Sequence, residues 1–169
     1  AGFHIELLRI AREVYHADVI TFHDDMGSQQ NAFFSPDIFG DLMLPHYKRI
    51  TKAAHDRGML VNFHSCGNVI RQIPGMIESG FDFWEGQDSC NDKQRIMDLY
   101  GDKLGQVGVF LVPPGVSQEA FEKAVYERVH TLGRDGRYIA YYVEMDPSRS
   151  PIGAELLYTY SRELYCGVQ

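Results

Sequence analysis

Met59-Leu60-Val61-Asn62-Phe63-His64-Ser65-Cys66-Gly67-Asn68 is a short apolar run, led in by Gly58, that ends in chemically able side chains. The run predicts a buried strand. His64 and Cys66 are two residues apart, so on an extended backbone they point to the same face. Gly67-Asn68 then lets the chain turn into a following helix. An imidazole and a thiol are thereby delivered side by side at the carboxyl end of a strand, where α/β sheets and barrels alike bind ligands. That pair suits zinc. A plainer reading, a core histidine and a buried thiol that are neighbours by chance, stands beside it. The strand-end position favours the ligand reading.

Upstream of this stretch, residues 3–15 predict an amphipathic helix, with Phe3, Leu7, Ile10 and Val14 at three- and four-residue spacing. Residues 17–22 are apolar and β-branched and predict the first strand. It empties into the polar loop His23-Asp24-Asp25-Met26-Gly27-Ser28-Gln29-Gln30. Ser35-Pro36-Asp37 reads as a helix start, with Ser as N-cap, Pro at the first helical position and an acidic first turn. Pro45 should break that helix into a short and a longer piece, the second ending at Gly58.

Downstream the alternation continues. Residues 69–79 predict a helix stopped by Gly80 and weakened by Pro74-Gly75. Residues 81–85 predict a strand ending in the loop that carries Gln87 and Cys90, and residues 93–100 a helix. A strand over 105–111, a helix from Ser117 to Leu132, a strand over 138–144 and a last helix over 151–165 complete the pattern. Strand followed by helix, five times over, means a parallel sheet with crossover helices, an α/β fold. The five units suit either a flavodoxin-like sheet or five consecutive units of a TIM (β/α)8 barrel. The strand-end loops favour the partial barrel, because Asp24 and Asp25, His64 and Cys66, Gln87 and Cys90, and Glu144 and Asp146 would then converge on one mouth.

The chain has 169 residues, 44% of them hydrophobic, enough for one sizeable core in a single domain over 1–169. A net charge of -7 and a pI near 5.4 leave no basic surplus for nucleic acid or an anionic membrane. No apolar run reaches the length of a membrane span and no signal-peptide pattern opens the chain. Cys66, Cys90 and Cys166 cannot make a disulfide framework, which makes a reducing cytoplasm the simplest home. Ala1-Gly2 runs straight into a helical pattern, as if an earlier part of the polypeptide were missing.

Asp24 and Asp25 are adjacent at a strand end, so at most one can face the mouth. An inward carboxylate would bind substrate or act as a catalytic acid or base; a loop carboxylate capping backbone amides is the alternative. Gln29 and Gln87 can orient a polar substrate, with solvated loop positions as the default. Trp84 and the other aromatic residues read as core packing. His4, His16, His46, His55 and His130 sit in helical stretches without ligand spacing.

The succession Asp24-Asp25-Met26-Gly27-Ser28-Gln29, Ser35-Pro36, His64-Ser65-Cys66-Gly67-Asn68, Gly80-Phe81-Asp82 and Tyr100-Gly101-Asp102-Lys103-Leu104 resembles the uroporphyrinogen decarboxylase superfamily. Within it, the chain resembles the cobalamin-dependent methyltransferase branch more than the true decarboxylases. The resemblance covers nearly the whole chain but only the carboxyl-terminal half of a family member, a TIM barrel of roughly twice this length. The segment that carries the decarboxylase's arginine-rich carboxylate-binding motif has no counterpart here.

What the resemblance implies is a zinc site built from a His-x-Cys pair and a later cysteine. Zinc in that branch activates a thiol, which accepts a methyl group from a methylated corrinoid protein. His64 and Cys66 match the first two ligands. Where the third is expected, at the end of the last strand, the chain reads Val143-Glu144-Met145, so Glu144 or, from another strand end, Cys90 is the remaining metal-ligand candidate. Cys166 reads as a structural or exposed thiol.

Three functions follow as expectations. The first is a corrinoid-dependent methyltransferase acting on a small-molecule thiol, with a corrinoid protein as partner. The second is a decarboxylase of a tetrapyrrole substrate, against which the missing arginine-rich segment and the His-Ser-Cys turn both count. The third is a non-catalytic truncated barrel that pairs with another chain or copy. Five units alone would leave edge strands uncovered, so an oligomer, or incompleteness without an amino-terminal half, is expected.

Overall fold

The computed structural model describes residues 1–86, 90–143 and 147–167. In chain order it comprises α1 (Gly2–Glu13), β1 (Val19–His23), α2 (Pro36–Ile38), α3 (Leu44–His55), β2 (Leu60–His64), α4 (Ile73–Ser79), β3 (Phe83–Glu85), α5 (Lys93–Tyr100), β4 (Gly105–Leu111), α6 (Gln118–Thr131), β5 (Tyr138–Val143) and α7 (Ser150–Cys166). The five strands form one parallel sheet in the order β1-β2-β3-β4-β5. A flavodoxin-like sheet must reverse its strand order at a switch point. Here the order is monotonic, and right-handed crossovers then place every helix on the same side. The sheet is therefore an arc of a βα barrel, with helices outside and the opposite face turned to the barrel interior.

Local chemistry explains most element ends. Ser35 caps α2 by accepting from the Ile38 amide, and Pro36 takes the first helical position. Pro45 does not stop the chain. A single wide turn over Phe39–Met43, with i to i+5 bonding, carries α2 into α3, and Pro45 lies in the first turn of α3, where no donor is needed. Residues 69–79 do not form one helix: a 3-10 turn over Ile70–Gln72 precedes α4, whose first turn holds Pro74. β3 begins at Phe83, leaving residues 81 and 82 outside it, and the Asp82 carboxylate accepts from the Val61 amide at 2.7 Å. α1 ends at Glu13, short of residue 15, and the chain reverses at His16 with a φ of 54°.

The principal core lies between β1–β3 and the helices α1, α3 and α4, and includes Tyr47, Ile50, Val61, Phe63, Ile73, Met76, Phe81 and Trp84. Phe63 is fully buried and stacks on Phe81 with ring centroids 4.4 Å apart. Burying each such side chain contributes about 1.5–3 kcal/mol. A smaller cluster of Val112, Phe121 and Val125 packs against Leu156, Leu157 and Tyr160 of α7. Among the described residues, no helix is long and apolar enough to cross a membrane.

Candidate metal centre

The strand register assembles the site. His23 of β1 lies opposite His64 of β2, and His64 opposite Glu85 of β3. Paired residues share a face, so all three side chains project from the inner face of the arc. The His23 and His64 rings stack with centroids 4.5 Å apart. One step back on the same face lie Thr21 and Asn62. Alternation carries on past the strand ends, sending Asp25 and Cys66 inward and Asp24 and Ser65 toward the helices. The Tyr47 hydroxyl donates to Asp24 Oδ2 at 2.5 Å, and the Met26 amide donates to Ser65 Oγ at 3.0 Å. Burial, and secondarily the Asp24 carboxylate, push the Tyr47 phenol well above its ordinary range.

The loops after the first three strands are clamped to one another. Gly67 has a φ of 84°, and a Cβ there would lie 2.2 Å from the carbonyl carbon and oxygen of Gly27. Only glycine permits that approach. The Asn68 amide donates to the Ser28 carbonyl at 2.7 Å and the Cys66 amide to Asp25 Oδ1 at 2.8 Å. The buried Asn91 amide group accepts from the Val69 N–H and donates to the Gly67 carbonyl, tying the third loop to the second.

Three ligand atoms converge inside this clamp. Cys66 Sγ is 3.3 Å from His64 Nε2, and His64 Nε2 is 3.7 Å from Asp25 Oδ1. One such atom from each of Asp25, His64 and Cys66 lies within 4.8 Å of the others. On the far side of the imidazole, His64 Nδ1 is 3.0 Å from Glu85 Oε1. Asn62 Nδ2 donates to Glu85 Oε2 at 3.1 Å and to Thr21 Oγ1 at 3.3 Å. Burial and then the Asp25 carboxylate raise the Cys66 thiol above its usual range, with Cys90 and Glu85 adding to the shift.

This donor set fits zinc. One carboxylate, one imidazole and one thiol are all accepted zinc ligands, and tetrahedral ligands at zinc bond lengths sit about 3.4–3.6 Å apart. The two separations, 3.3 Å for N···S and 3.7 Å for N···O, lie within a few tenths of an ångström of that spacing. The second nitrogen of His64 rests on a carboxylate, the outer-shell arrangement that metal-bound histidines usually have.

His64 and Cys66 are thus brought together. Asp25 joins them, and Asp24 is directed to the Tyr47 side of the sheet. Cys90 lies on the neighbouring loop, 3.4 Å from Asn91 Nδ2, and is not in the converging group found among the described residues. Gln29 sits on the exposed loop after β1. Glu144 and Gln87 lie outside the described residues. Sequence reasoning gave no role to His23 or Glu85. The signal for both is register: each is the in-line neighbour of His64, which periodicity within one strand cannot reveal.

No family model matches the chain, and no curated protein matches it. Solved structures do. The chain is similar to a methyltransferase from Methanosarcina mazei, with a TM-score of 0.67 and 19% identity over 97% of this chain and 47% of that one. It also matches a D-psicose 3-epimerase crystallised in the presence of D-fructose, with a TM-score of 0.47 and 10% identity over 83% of this chain and 56% of the other. The chain spans about half the length of each. The first likeness establishes the fold.

Proposed function

We propose that this chain carries the metal-binding part of a methyltransferase-like active site, akin to the corrinoid-dependent branch of the uroporphyrinogen decarboxylase superfamily, with zinc held by Asp25, His64 and Cys66. The observation that carries the reading is the convergence of one oxygen, one nitrogen and one sulfur ligand atom at a strand-end mouth. The raised Cys66 thiol supports it: burial, and then the Asp25 carboxylate, hold the proton on the sulfur, an arrangement that a bound dication would reverse. The chemistry zinc supplies at such a site is to keep a bound thiol deprotonated at neutral pH.

The chain's own residues then do the positioning. Asp25 Oδ1, the same oxygen that approaches His64 Nε2, accepts from the Cys66 amide, which fixes the turn that aims the sulfur. His64 presents Nε2 inward because Nδ1 faces Glu85. The open side of the group faces the barrel interior, where a small-molecule thiol would lie and a methylated corrinoid protein would deliver the methyl group. The tetrapyrrole decarboxylase reading is less well supported. Among the described residues, the inward positions of the five strands include no lysine or arginine, and a polycarboxylate would meet Asp25 and Glu85 instead.

The test is zinc binding by the chain, measured by metal analysis and chelator competition. Cys66→Ser, His64→Ala and Asp25→Ala should each weaken binding by more than the roughly 10–100-fold that loss of a ligand's supporting partner costs. Cys166→Ser should leave it unchanged. Wild-type zinc affinity in the Cys66→Ser chain overturns the proposal.

A further inference from the structure

Glu85 is not a ligand in the converging group. It contacts the nitrogen of His64 on the ring edge opposite Nε2, so the two cannot reach one metal together. Its placement is nonetheless specific. Register with β2 sets it beside His64, and buried Trp84 anchors the strand from the helix side. Both carboxylate oxygens are in use, Oε1 toward His64 and Oε2 toward Asn62, and Asn62 is held in turn by Thr21. A line of polar contacts therefore crosses three adjacent strands and ends on His64 Nδ1.

We propose that Glu85 is a positioning residue that locks His64 in the tautomer with hydrogen on Nδ1, leaving the Nε2 lone pair aimed at the point shared with Cys66 and Asp25. A carboxylate can only accept, so the nitrogen facing it must donate. A neutral imidazole carries one hydrogen, and Nε2 is then an acceptor available to a metal. Asn62 removes the ambiguity on the other side. Its NH2 group must face Glu85, because its carbonyl oxygen there would oppose a carboxylate. Asn62 thus acts as a donor that keeps the carboxylate turned toward His64. A glutamine at 85 would satisfy Asn62 with its oxygen and turn its own NH2 to Nδ1. That selects the opposite tautomer, in which Nε2 bears the hydrogen and cannot bind metal.

The metal-related part of this inference rests on the zinc reading above; the tautomer part does not. The experiment uses the full chain, 15N-labelled at histidine, metal-free and at about pH 9, where imidazole is neutral. The wild-type chain should show His64 as the Nδ1–H tautomer. Glu85→Gln should shift it toward Nε2–H and lower zinc affinity roughly 10–100-fold, the usual cost of losing a ligand's outer partner. Glu85→Asp, which keeps the carboxylate, should recover part of both. Nε2–H as the dominant form in the wild-type chain overturns the proposal even if the variants do not fold. So does a folded Glu85→Gln chain with unchanged tautomer and unchanged zinc affinity. If His64→Ala itself retains wild-type zinc affinity, the zinc reading falls, and the nitrogen spectra still decide the role of Glu85.

Discussion

The peptide bond between Asp24 and Asp25 separates two carboxylates with opposite surroundings. Strand alternation turns Asp25 into the mouth, against the Cys66 amide, and turns Asp24 toward the helices, against the Tyr47 hydroxyl. Asp24 is therefore a structural acceptor, and its partner makes the contact pH-sensitive in the alkaline range. Burial raises the Tyr47 phenol, so the folded chain holds that proton more tightly than the unfolded one. The resulting stability is fully present below the unfolded phenol's pKa of about 10 and is lost as pH rises beyond it. Urea unfolding at pH 8, 10 and 11 should show wild-type stability falling across the upper interval, with a shallower fall for Tyr47→Phe. The same variant should be weaker by about 1–3 kcal/mol at pH 8, because Asp24 loses its donor. Identical alkaline slopes in the two chains would rule out this assignment.

Strand register sets His64 beside His23 and Glu85, and the loops set where Asp25 and Cys66 meet it; two glycines report how the loops do so. Gly58 and Gly67 both have positive φ, 71° and 84°, but a Cβ at Gly58 meets open space and one at Gly67 meets the Gly27 backbone. Gly58→Ala should cost only the left-handed strain, about 1–2 kcal/mol. Gly67→Ala should cost that plus the separation of the two loops, about 3 kcal/mol or more, and should weaken zinc binding as Asp25 and Cys66 part. Equal losses by denaturant titration would show that the clamp is not rigid. The elements themselves were legible in the chain: Ser35-Pro36, Gly80 and the β-branched runs mark their boundaries with local chemistry. The wide turn before Pro45 was not, since a proline signals a missing donor without saying how the helix adapts. His64 and Cys66 were legible as a pair because their two-residue spacing is a property of one strand. Asp25 as their companion, and His23 and Glu85 as their flanks, depend on which residues lie opposite across neighbouring strands. Buried parallel strands are near-continuous apolar runs and carry no mark of register.

Parallel sheets are normally covered on both faces, and this arc is covered on one. Val19, Leu60, Val109, Ile139 and Tyr141 occupy inward positions and are all exposed, and β1 and β5 are the end strands of the sheet. Polar groups cluster at the carboxyl ends of β1–β3, whereas the rest of the inner surface is apolar. Exposed apolar faces of this kind favour association with further strands or another copy. In the similar methyltransferase, about half the length lies outside the part this chain matches. The 169-residue chain alone should therefore self-associate. Light scattering should give a mass above 19.3 kDa that rises with concentration, together with binding of a hydrophobic dye. Ile139→Lys and Tyr141→Lys, placed on the exposed face away from His64 and Cys66, should lower the mass and the dye signal while leaving zinc affinity unchanged. A monodisperse 19.3 kDa species that binds no dye at high concentration would mean the inner face is satisfied by the chain itself. Loss of zinc binding in the lysine variants would instead mean that closure of this face, and not the loop clamp alone, holds Asp25, His64 and Cys66 together.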